Sequence, residues 1–97
     1  MFYHVVFSVC ASIMGMPAAC ESERLIDTMY SSLVSCYSAA STVEKTTVEN
    51  LNAEAQTLGI GVSNIQVKTQ CLTTREGEAF LKKWGPSALV ITGKKYD

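Results

Sequence analysis

The sequence predicts a small α/β or α+β domain of two layers, with a C-terminal βαβ unit packed by two preceding helices. Three features carry this prediction. Apolar residues recur at helical spacing from Leu25 to Tyr37, apolar and polar residues alternate from Ile65 to Cys71, and the compact apolar run Ala88-Leu89-Val90-Ile91 follows a capped helical segment. At 97 residues the chain has room for one domain and one modest core.

The first charged residue is Glu21, so the opening MFYHVVFSVCASIMGMPAAC is set apart by composition. Its most apolar part, Val5 to Met16, is broken by Ser8, Ser12 and Gly15 and is shorter than the roughly 18 residues of a membrane span. Its length suits the apolar region of a secretory leader, and Pro17-Ala18-Ala19-Cys20 supplies the small residues that a leader peptidase requires. The expectation is a leader over residues 1–19 and a single domain over residues 20–97. The alternative is a first buried strand, because Phe2 to Val9 is rich in Val and Phe. Pro17-Ala18-Ala19-Cys20 also resembles the lipobox of bacterial lipoproteins, which would make Cys20 an acylation site; Pro17 departs from that pattern.

After this opening, Leu25, Ile26, Met29, Tyr30, Leu33, Val34 and Tyr37 draw one stripe along a helix predicted from about Glu21 to Ala39. Ser41-Thr42-Val43-Glu44 and Thr46-Thr47-Val48-Glu49 have the form of capping boxes, so a second helix is predicted to start there and to end at Leu58, with Gly59 as its left-handed cap. The inward phase of the next segment changes at Ser63-Asn64, which predicts a short strand, a bulge or turn, then a half-buried strand over 65–71. Thr73-Thr74-Arg75-Glu76 is a third capping box. Gly77, Phe80, Leu81 and Trp84 continue as a helical stripe that Gly85-Pro86 stops, and 88–92 reads as an interior strand.

The chemistry is sparse. Eight Lys and Arg against nine Asp and Glu give a net charge of -1, which supplies no basic field for nucleic acid. The four cysteines, at 10, 20, 36 and 71, form no CxxC pair, and the single imidazole is His4; no catalytic, cofactor-binding or metal site is therefore assigned. With the leader removed, Cys36 and Cys71 are the natural disulfide pair; if all four cysteines are kept and oxidised, three pairings stay open. Residues 68–97 carry a local excess of positive charge, and Lys82, Lys83, Lys94, Lys95 and Tyr96 are the candidate partner-facing residues.

These features point to a small secreted or periplasmic protein, monomeric or homodimeric, without catalysis of its own. It would act by binding another protein, as an inhibitor, immunity factor, effector or secretion accessory. The alternative is a cytoplasmic α/β binding or assembly module that keeps residues 1–19 as a strand. A third reading is a thiol enzyme using Cys10 or Cys20.

Overall fold

The computed structural model describes residues 1–97 as an α+β domain with a mixed five-stranded sheet and two helices. Strand β1 (Tyr3–Ile13) leads into β2 (Ala19–Cys20) and β3 (Arg24–Ile26). Helix α1 (Leu33–Leu58), strand β4 (Val62–Thr73), helix α2 (Thr74–Trp84), a 3-10 turn (Pro86–Ala88) and strand β5 (Leu89–Val90) follow.

β1 is the centre of the sheet. It pairs antiparallel with β4 along nearly its whole length, from Tyr3↔Thr73 to Ile13↔Val62. It also pairs antiparallel with β3 at Val6↔Leu25 and with β2 at Cys10↔Cys20. A strand has two edges, so β2 and β3 share the edge opposite β4. The segment 1–19, read from sequence first as a leader and second as a buried strand, thus supplies the central strand.

Successive residues of a strand face opposite ways, and in β1 both directions are buried. Val5 is 0% exposed and packs with Cys36 and Ala40 of α1; Val6 is 1% exposed and packs with Leu25, Phe80 and Ala88 on the α2 side. The two helices therefore cover opposite faces, giving three layers where the sequence predicted two. Full burial of an aliphatic side chain stabilises by about 1.5–3 kcal/mol, so these two adjacent valines anchor two separate cores.

The C-terminal βαβ unit is present in split form. β4 and β3 are both antiparallel to β1, and β5 is parallel to β3, so β4 and β5 run the same way with β1 and β3 between them. Helix α2 crosses over those inserted strands. Gly77 lets it come close, since a β-carbon there would sit 3.0 Å from Leu25 Cδ1.

One long helix replaces the two predicted ones, and β3 occupies the first part of the predicted stripe. Leu25 and Ile26 face opposite sides of a strand, Leu25 toward α2 and Ile26 toward α1, so the apparent stripe joined residues from both faces. Helix α1 starts only after Ser32, whose hydroxyl accepts from the Ser35 amide. At the predicted break, Thr42 Oγ1 donates to the Ser38 carbonyl one turn back, and the hydroxyl is absorbed within the helix instead of capping a new one. Leu33, Val34 and Tyr37 of the predicted apolar face are exposed. The buried residues of α1 are the small Cys36, Ala40 and Ala55, and Ala39 and Val43 pack beside Cys36 and Ala40. The end of α1 follows the sequence: Gly59 is left-handed at φ 69° and its amide bonds the Ala55 and Gln56 carbonyls. The predicted phase change is a bulge, with Asn64 at φ 54°, as the register passes from Cys10↔Gln66 to Ser12↔Ser63.

Helix α2 has the predicted box: the Glu76 amide donates to Thr73 Oγ1 and the Thr73 amide donates to Glu76 Oε1. Hydrogen bonding to the Thr73 backbone holds the Glu76 carboxyl below its ordinary value. A carboxyl lowered in the folded state stabilises above its unfolded pKa, and that contribution is lost as pH falls through the folded value. Urea midpoints measured from neutral pH down into acid should therefore fall more steeply for the wild type than for Glu76→Gln, and parallel curves would contradict the box.

Candidate functional site

The molecule is elongated, 43 × 25 × 21 Å, and two loops without charged residues come together on it. Two uncharged stretches, residues 1–20 and 55–67, meet there because Ile13 pairs with Val62 and the Met14 amide donates to the Gly61 carbonyl at 2.7 Å. The turn after β1 thus lies beside the connection between α1 and β4. Together they present Met14, Met16, Leu58 and Ile13 to solvent, at 72, 65, 69 and 51% exposure.

This tip is held in shape by three devices. Met14 and Gly15 are both left-handed, at φ 51° and 76°, and the Met16 amide donates to the Ile13 carbonyl at 3.0 Å; this is the pattern of a turn with two positive φ angles. Positive φ is uncommon for a side chain such as methionine, and the surrounding structure must enforce it. At the base of the loop, Cys10 and Cys20 are directly opposite each other on β1 and β2 and are joined by a disulfide. Leu58 is placed by the glycine cap that ends α1. An apolar loop fixed in advance loses less conformational freedom on docking than a flexible one, which raises affinity without adding contacts.

A second disulfide joins Cys36 of α1 to Cys71 of β4, with Cα atoms 6.2 Å apart and a sequence separation of 35. It lies on the α1 face beside Val5, the cross-strand partner of Cys71. All four cysteines are paired. Cys20, the acylation site suggested by the lipobox resemblance, has its sulfur bonded to Cys10, and neither Cys10 nor Cys20 has a free thiol for nucleophilic chemistry. His4 Nδ1 lies 3.0 Å from the Ile26 carbonyl oxygen, bridging β1 and β3.

The basic residues singled out from sequence do not share one feature. Lys82 and Lys83 lie in the last turn of α2, with Lys83 Nζ 5.2 Å from the Trp84 ring centre. Lys94 Nζ pairs with Asp97 at 2.8 Å, Lys95 Nζ is 5.8 Å from the Tyr96 ring centre, and the Tyr96 ring meets Phe2 edge-on. They divide between the end of α2 and the C-terminal tail. The tip residues were missed in sequence because the leader reading absorbed Ile13, Met14 and Met16 as part of an apolar run. The usable signals were Met14-Gly15 as a turn dipeptide and the two charge-free stretches.

No helix is long and apolar enough to cross a membrane. Comparison with family models, curated proteins and solved structures finds no match to this chain.

Proposed function

We propose that this protein is a disulfide-stapled binding domain of an oxidising compartment, secreted or periplasmic, which acts by inserting its uncharged tip into an apolar cleft of a partner protein. The observation that carries the reading is the tip itself: exposed Met14 and Met16 on a loop closed by Cys10–Cys20, beside exposed Leu58 at the end of α1. Scattered exposed apolar residues are ordinary, but several together on restrained loops built of uncharged residues mark an interaction site. Methionine suits such a surface because its flexible thioether adapts to an irregular cleft. Two disulfides in a small chain fit an oxidising compartment. In this reading residues 3–13 stay in the mature domain as β1, and cleavage near residue 19 is set aside.

The test uses protein from its native host. Its intact mass should rise by four hydrogens on reduction, and a photoreactive analogue at Met16 should cross-link to one discrete partner. Met14→Asp should weaken that capture by about 30-fold or more, as expected for a central contact, while leaving the thermal midpoint nearly unchanged. Equal capture by Met14→Asp would overturn the role of the tip, and four reduced thiols in host material would overturn the compartment. The second result would favour a cytoplasmic binding module, a reading supported by the position of Tyr3–Ile13 inside the sheet.

A further inference from the structure

We propose that the free edge of β4 pairs with the same edge of a second copy of this chain, joining two five-stranded sheets into one across a two-fold axis. β4 pairs only with β1, so one side of this twelve-residue strand has no strand partner. The backbone parity follows from β1. Tyr3 exchanges both of its backbone bonds with Tyr30, and the Val9 carbonyl accepts from the Glu21 amide, so odd-numbered residues of β1 address the β2 and β3 side. Even-numbered residues of β1 therefore address β4. Their partners there are Leu72, Gln70, Lys68 and Gln66. Ile65, Val67, Thr69 and Cys71 consequently turn their amides and carbonyls outward.

The usable edge is bounded at both ends. The Asn64 bulge interrupts it on one side, and on the other the Thr73 amide is already bonded to Glu76. Between them lie Ile65 to Leu72, a run without Pro or Gly and with one charge, Lys68. Proteins usually blunt such an edge with proline, several charges or a covering segment.

Self-complementarity selects the register. Centring the pair on Lys68 would set two ammonium groups directly opposite, which is unfavourable. Centring it on Gln70 would pair Val67 with Thr73, whose amide is taken. Centring it on Val67 would set Cys71 against Ser63, beyond the Asn64 bulge. Centring it on Thr69 places Thr69 opposite itself and Val67 opposite Cys71, uses these three outward residues of each strand in about six backbone bonds, and sets Lys68 against Gln70. Each Thr69 hydroxyl donates to its own Glu44 carboxylate at 2.6 Å, so in this register the two Glu44 side chains approach each other beside the axis. Their repulsion limits the affinity of the pair.

The experiment is light scattering on the oxidised full chain over a dilution series. A concentration-dependent dimer is expected, weakened by more than about tenfold in Val67→Pro, which removes an amide used only at the outer edge, and tightened in Glu44→Gln. Hydrogen exchange on the wild type covers the case in which the proline variant misfolds. The Val67, Thr69 and Cys71 amides should be slow only in concentrated samples, whereas those of Lys68 and Gln70 should be slow throughout. A monomer at every concentration, or fast exchange at 67, 69 and 71 in concentrated protein, would overturn the proposal; a dimer weakened by Glu44→Gln would overturn this register.

Discussion

Deletion of residues 1–19 is expected to abolish cooperative folding, leaving a chain with no thermal or urea transition and no dispersed amide spectrum. The deletion removes β1, and with it the only strand that pairs with β4. It also removes Val5 and Val6, the members of the two cores that belong to the sheet centre. A domain of this size has only about 5–15 kcal/mol of net stability, and the loss of two buried valines with an entire ladder of hydrogen bonds exceeds it. A truncated chain with a sharp transition and native-like near-ultraviolet dichroism would show that β1 is dispensable.

The second large effect is expected at the buried disulfide. Replacing both Cys36 and Cys71 with Ala should lower stability by about 4 kcal/mol on the chain-entropy scale for a closure of this length, with a smaller addition from lost packing at the fully buried Cys36. Replacing Cys10 and Cys20 opens a loop of sequence separation 10 and should cost about 3 kcal/mol. Urea denaturation of the two double variants against wild type reads the order directly. If the tip staple proved the more important, the helix-to-sheet seam would be held mainly by Val5, Ala40 and their neighbours, and Cys36–Cys71 would be secondary. Only the tip staple should alter partner capture, because Cys36–Cys71 lies on the face between α1 and the sheet.

Local signals were the legible part of the sequence. The Thr73–Glu76 box, the Gly59 cap and the bulge at Asn64 are decided within a few residues, and each stands where the pattern places it. What sequence could not convey was the partner of each apolar residue. Leu25 and Ile26 look alike in a periodic pattern, yet they serve opposite faces of the sheet because β1 offers a second edge to be paired. Likewise Thr42-Val43-Glu44 reads as a helix start until Thr42 is seen bonded one turn back and Glu44 is seen bonded to Thr69 on β4. The tip lay hidden for the same reason. Met14 and Gly61 are distant in sequence, and only the pairing of β1 with β4 makes them neighbours.

The position of β1 also sets a timetable for biosynthesis. The ribosome releases the sheet's middle first, and its full-length companion β4 emerges only after β2, β3 and α1 have been made. The Cys10–Cys20 bond can close while most of the chain is still being translated, whereas Cys36–Cys71 must await β4. Nascent chains should accordingly pass through a singly bridged, unpaired-strand stage that offers Val5, Val6 and Phe7 to chaperones.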